Sequence, residues 1–258
     1  MPWHVMLELA VLAGVLLLLV AHEAGFRAGR RALARDGEDA GKGLAVTEGA
    51  VFGLLGLLIA FTFSGSVARL DARRALVAEE ANAISTSYLR LDLLGPELSA
   101  PIRPLYRAYL DQRIAQAKVA DDAPWRPGAL RAVEAMQARI WAATVAALER
   151  KGQPQLAAPV LGPLNAMIDI TTTRRMAAMM HPPRLVFVAL VVVTVLGALL
   201  AGYARGLSGR RSLLHAGIFV LALGGTIYAV VEMEYPRLGL VTIDRADVVL
   251  ADLRGTLR

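Results

Sequence analysis

Four stretches of about 20 residues, 6–25, 47–65, 185–203 and 213–231, are apolar almost throughout. At 1.5 Å per residue, each is long enough as a helix to cross the hydrocarbon core of a bilayer. These blocks dominate a 258-residue chain whose hydrophobic content is 56%. In lipid, a backbone must satisfy its own N–H and C=O groups, which a helix does within a single segment. The fold class expected is therefore all-α, an integral membrane protein with four transmembrane helices. The first block, with its run LAVLAGVLLLLVA, is expected to be an uncleaved anchor. The preceding MPWH carries no Lys or Arg, and no small-residue cleavage site leads into a soluble chain.

The net charge of +6 raises the possibility of nucleic-acid binding, but the distribution of the basic residues argues against it. Arg27, Arg30, Arg31 and Arg35 follow the first span, Arg69, Arg73 and Arg74 the second, and Arg205, Arg210 and Arg211 the third. Basic residues at span ends serve anionic headgroups and helix termini, whereas a nucleic-acid surface gathers them into one patch or stripe. The expected partners are the lipid bilayer and further copies of the chain, with no nucleic acid. The chain has no cysteine, so no disulfide framework can form.

The organisation expected is a first membrane hairpin at 1–66, a helical insert at 67–182, a second hairpin at 183–234 and a C-terminal segment at 235–258. In the insert, Leu70, Val77, Ala81, Ile84, Tyr88 and Leu91 keep to one face of a 3.6-residue repeat over 67–93, and GPELSAP ends that helix. Further helices are expected at 102–119, 129–150 and 161–180. The last is stopped by HPP, since Pro182 and Pro183 cannot continue it. The insert thus reads as a helical bundle between the second and third spans. GLVTI at 239–243 alternates like a strand, and Asp244 can cap a short helix ending at 257.

Orientation is contested. The four arginines after the first span put both short loops in the cytoplasm by the positive-inside rule, which leaves the insert extracytoplasmic. Arg69, Arg73, Arg74, Arg174, Arg175 and Arg184 on the insert side nearly level the count.

No enzyme is expected. His4, His22, His181 and His215 stand in four separate segments without metal-ligand spacing, and no nucleophile elbow or Walker-like run occurs. No cofactor or metal is expected. His215, Glu8 and Glu23 read as interfacial side chains.

Two faces can be drawn on the second span. Gly49, Gly53, Gly56, Ala60 and Ser64 form a small-residue stripe of the kind that lets membrane helices approach closely. Roughly 100° round the helix, Glu48, Phe52, Leu55, Ile59, Thr62, Ser66, Arg69 and Arg73 form a second stripe. With several copies round one axis, Phe52, Leu55 and Ile59 would make an apolar neck followed by the hydroxyls of Thr62 and Ser66. Glu48, Arg69 and Arg73 would be the charged mouths, an arrangement from which pores build selection and gating. On spacing alone, pore and scaffold stay equal. Asn165, Asp169 and Thr172 lie along one face of the last insert helix. They read as an ion-facing strip or, more readily, as a polar seam with Glu79, Glu80 and Asn82.

The run TEGAVFGLLGLLIAFTFSGSVARLDARRALVAEEANAISTSYLRLDLL, the later LNAMIDITTTRRMAAMMHPP and the EYPRLGLVTID after the fourth span together resemble a bacterial membrane family with a bestrophin-like domain. The resemblance covers nearly the whole chain. It implies an oligomeric ion channel of the bacterial inner membrane, with a neck on the second span and the insert in the cytoplasm, opposite to the charge rule. Glu232, Glu234, Asp244 and Asp247 are the nearest match to a calcium clasp. Arginine rings would favour anions and Glu48 would oppose them. The alternative function is a non-conducting scaffold whose insert binds a partner protein.

Overall fold

The computed structural model describes residues 3–117, 127–209, 213–235 and 244–257. The strand-like stretch at 239–243 lies outside them, as do the side chains of His4, Glu8, His215, Asp244 and Asp247. Among the described residues every regular element is helical. In order they are α1 (Trp3–Asp36), α2 (Leu44–Arg90), α3 (Pro96–Ser99), α4 (Arg103–Ala117), α5 (Pro127–Lys151), α6 (Ala157–Met179), α7 (Arg184–Leu207), α8 (Leu213–Glu234) and α9 (Asp244–Thr256). Four of these, α1, α2, α7 and α8, contain stretches long and apolar enough to cross a membrane. α1 and α2 outrun the apolar blocks. α1 continues through the arginines to Asp36, and α2 is one 47-residue helix, because no Gly-Pro break separates its oily half from its charged half. Between them lies a short 3₁₀ turn, Gly37–Gly41, whose first residue Gly37 and the following Gly43 have φ of 60° and 78°, a conformation that costs glycine little.

The chain divides into two compact units, residues 1–68 with 181–234 and residues 69–180 with 235–258. In the first unit, α1 and α7 run parallel and touch along their backbones. A Cβ placed on Gly25 or Gly29 of α1 would overlap the carbonyl oxygen of Leu199 or Tyr203. On Gly202 or Gly206 of α7 it would overlap that of His22 or Phe26. Both helices thus present a G-x-x-x-G face. In lipid there is no hydrophobic drive to join helices, so close van der Waals packing has to supply the association. On this pair, α8 buries Val220 against Leu18, Ala21 and Ala198. α2 packs through side chains: Phe52 meets the Phe219 ring edge-on at 6.0 Å, and Phe52 and Leu55 cover Gly197.

In the second unit, the six apolar residues expected on one face, Leu70, Val77, Ala81, Ile84, Tyr88 and Leu91, are all buried. Tyr88 and Tyr106 stack edge to face at 5.8 Å, and the Ser87 and Tyr106 hydroxyls are 2.5 Å apart. Burial pushes the Tyr106 phenol up to about 12, outweighing the hydrogen bond with Ser87. Pro163 sits inside α6, which begins four residues earlier than the expected 161, at Ala157. α9 is tied to α4 by Arg254, whose Nε donates to Asp111 at 2.6 Å, and it buries Leu250 fully.

The glycine contact makes a testable demand. Gly202→Ala should force α1 and α7 apart and destabilise the protein by at least about 3 kcal/mol, the upper end of overpacking costs. Gly217→Ala, whose new methyl would meet nothing within 4 Å, should leave the unfolding temperature within a few degrees of wild type. Thermal unfolding in detergent measures both.

Candidate functional site

The long helix α2 places its two stripes on different surfaces of the first unit. Leu55, Thr62 and Ser66 are 2%, 7% and 0% exposed, and Phe52 and Ile59 are half-buried. This stripe is therefore the one that packs within the chain. The Thr62 hydroxyl turns back to donate to the carbonyls of Leu58 and Ile59 at 2.7 and 3.0 Å, so it is satisfied without an outside partner. The small-residue stripe is the open one. Gly49, Gly53, Gly56, Ala60 and Ser64 are exposed, and nothing lies within 4 Å of a Cβ built on any of the three glycines. Leu57 and Phe61 border that open face and are 53% and 69% exposed.

The charged residues expected at the mouths separate. Glu48 is half-buried near the start of α2. Arg69 is half-buried, and Arg73 is only 7% exposed. In the second unit, Arg73 donates from Nε to the carbonyl of Ala177 at 3.2 Å and from an Nη to that of Met180 at 3.1 Å. Both acceptors belong to the end of α6, where the last turn leaves carbonyls unpaired and the dipole favours a cation.

At the end of α8, Glu234 is fully buried. It accepts a hydrogen bond from the Ser66 hydroxyl at 3.1 Å, and its other oxygen lies 2.9 Å from Nδ1 of His181. Serine and histidine both converge on the carboxylate. A hydrolytic triad needs the imidazole between the other two to take the proton from serine, so Ser66 and His181 here serve to hold a buried carboxylate. Glu232, two residues earlier, is also buried. Among the described residues no group of three or more His, Cys, Asp or Glu side chains is placed to hold a metal ion.

The second unit carries a buried ion cluster. Glu80 is fully buried and receives Arg113 in a forked contact at 2.5 and 3.2 Å, with Arg174 on its second oxygen. Asn82, Asn165 and Asp169 remain exposed, and the last two bond only loosely to each other at 3.4 Å. Glu80 is thus joined to Arg174 of the expected seam's helix and to Arg113 of α4, while the amide and carboxylate of the strip stay outside. Around the cluster, Gln137 donates to the Tyr109 and Thr171 hydroxyl oxygens at 3.4 and 3.3 Å. Beside it lies a cavity of about 250 Å³ lined by Arg113, Glu134, Gln137, Thr171, Thr172 and Arg175, among others.

Arg113 carried no signal in the sequence, since its partner is 33 residues away on another helix. Gly25, Gly29, Gly202 and Gly206 did carry one, the i, i+4 spacing of small residues. His181 stood alone in the sequence because Glu234 reaches it only through the fold.

Burial alone would raise the Glu80 carboxyl, but the guanidiniums of Arg113 and Arg174 outweigh it and hold that group below its ordinary value. The unfolded state then binds the proton more tightly. The stability conferred is complete above the ordinary glutamate range and is lost as pH falls toward the depressed folded value. Glu80→Gln should flatten this acid limb of stability. Glu80→Ala should cost about 3–5 kcal/mol at neutral pH, as breaking one side of a buried pair does. Thermal unfolding followed from neutral pH into the acid range tests both.

The sequence profile of the bestrophin-like domain matches residues 15–248, which takes in the first span from residue 15 onward and the whole of the other three. No curated protein matches the chain, and no solved structure does. With four apolar helices and a match over almost its full length, the chain is a multi-pass membrane protein that belongs to the bestrophin-like family.

Proposed function

We propose that the protein is a homo-oligomeric ion channel in which α2 of each copy faces a shared axis. The observation that carries this reading is the open small-residue face of α2, Gly49, Gly53, Gly56, Ala60 and Ser64. It lies on an apolar helix and has no neighbour within 4 Å of its glycines. Small residues on a membrane helix serve close approach to another helix, and the first unit leaves this face uncovered. Membership of the bestrophin-like family agrees with a channel-like protein. Among the described residues one copy has four helices long and apolar enough to span, too few to enclose a pore alone.

Two sets of side chains compete for the neck. Phe52, Leu55 and Ile59, with Thr62 and Ser66, supply the ring that the resemblance implies, but to reach an axis they would have to leave Gly197 and Phe219. Leu57 and Phe61 flank the open face and need no such unpacking, so the constriction is assigned to them. Arg69 favours anions at one mouth and Glu48 opposes them at the other, and the balance of the two sets selectivity. The helices between α2 and α7 form the bundle of the insert domain, 67–182, in this reading. The second reading, a non-conducting scaffold, draws on Leu89, Leu93 and Trp141, apolar side chains exposed on the second unit.

The absence of cysteine makes the native chain a clean background for thiol chemistry. Ala60→Cys should give covalent dimers with a short bismaleimide in membranes, and Phe61→Cys should let a thiol reagent block flux in reconstituted vesicles. Leu55→Cys should do neither. Native mass spectrometry of wild type should show a ring of four or more copies. Reaction at Leu55→Cys in place of the open-face positions would return the neck to Phe52, Leu55 and Ile59. A monomer or dimer without flux would overturn the channel in favour of the scaffold.

A further inference from the structure

On the exposed side of the turn that buries Phe26 and Gly29, α1 carries Arg27, Arg30 and Arg31 to a cavity of about 540 Å³, whose other lining residues are Phe26 and Gly209. We propose that this cavity binds the phosphate headgroup of an anionic phospholipid.

The charge balance is the first argument. Among the described residues, the carboxylate that pairs with these three arginines is Glu23, on Arg27 at 2.8 Å. Arg30 is steadied by donating to the Gly209 carbonyl at 3.3 Å, which joins the ends of α1 and α7 and leaves its charge uncompensated. Arg31 is exposed and has no carboxylate partner among the described residues. Guanidinium groups match phosphate oxygens through paired N–H donors. Basic pockets between membrane helices at the headgroup level take acidic lipid heads.

The second argument selects a lipid over a free anion. On the same face of α1, one and two turns apart, Leu9, Leu12, Leu16 and Val20 are 49%, 56%, 54% and 65% exposed. They run straight toward Glu23 and Arg27. Leu16 lies about 16 Å along the helix from Arg27, about one leaflet of the roughly 30 Å hydrocarbon core. A headgroup held by the arginines therefore has an uncovered apolar track for its acyl chain, whereas a free phosphate would use only the upper end. Glu23 marks the boundary between track and cavity and limits the site to ligands whose charge the arginines can over-compensate.

The test uses the full-length protein, stripped of lipid in detergent and titrated with phosphatidylglycerol, phosphatidylcholine or inorganic phosphate, with native mass spectrometry and unfolding temperature as readouts. Phosphatidylglycerol should be retained and should stabilise the protein at markedly lower concentrations than phosphatidylcholine. Millimolar inorganic phosphate should neither displace it nor stabilise the protein. Arg27→Gln with Arg31→Gln keeps the Arg30 contact to Gly209 and should lose phosphatidylglycerol affinity roughly thirty-fold, with an unchanged lipid-free unfolding temperature. If that pair does not fold, Arg31→Gln alone carries the test, since Arg31 has no protein ion pair to lose. Equal retention of the two lipids, or an undiminished preference in the folded variant, would overturn the proposal. Displacement by inorganic phosphate would also overturn it and would identify a free-anion site.

Discussion

Where α1 and α7 meet, glycine on both helices removes the side chains that normally keep helix axes apart, and backbone lies directly against backbone. In a bilayer this kind of contact matters more than in water, because lipid tails solvate an apolar side chain as well as another helix does. The rest of the first unit builds on the pair. Val220 of α8 fills the angle beside Ala198, Leu18 and Ala21, and Phe52 and Leu55 of α2 close over Gly197. A methyl group at Gly202 or Gly206 would separate the two helices to which both later contacts refer.

The second unit is organised round a different cost. A carboxylate buried as fully as Glu80 is tolerable only with strong partners, and two arginines from separate helices provide them. Such a cluster adds less to stability than an apolar core of equal volume, because desolvation consumes most of the attraction. What it does impose is alignment. α4 and α6 must both present a guanidinium to α2, and the hydrogen bonds of Gln137 to Tyr109 and Thr171 extend that requirement to α5. Arg73 does similar work at the end of α6, where it satisfies two carbonyls that the helix itself leaves open.

α2 belongs to both units, and its faces divide the tasks. One face holds the chain's own helices, through aromatic and aliphatic contacts in the first unit and through the Glu80 cluster in the second. Roughly 100° round its apolar half, the small-residue stripe is bare, bordered by the exposed Leu57 and Phe61. A helix long enough to serve both units, with one side already committed, can offer a second copy only the other side. That asymmetry links the packing of a single chain to the proposed assembly.

Much of this was legible along the chain. The four apolar blocks, the all-helical class, the unbroken course of α2 and the buried stripe from Leu70 to Leu91 follow from hydropathy and a 3.6-residue period, which are local properties. The family resemblance lay in three ordered motifs. Which stripe of α2 turns inward was not legible. Both faces have helical spacing and both suit a membrane, so periodicity does not say which one meets α7 and α8. Nor could spacing join Glu80 to Arg113, or His181 and Ser66 to Glu234, since those partners lie far apart in the chain and a charge carries no mark of its mate. The sequence by itself determined where the helices are and that a bilayer surrounds four of them, because helix formation and hydrophobic length are set residue by residue. Only the tertiary structure decided which faces are covered, because burial depends on the neighbour that arrives, and here glycine contacts between α1 and α7 determine where that neighbour can stand.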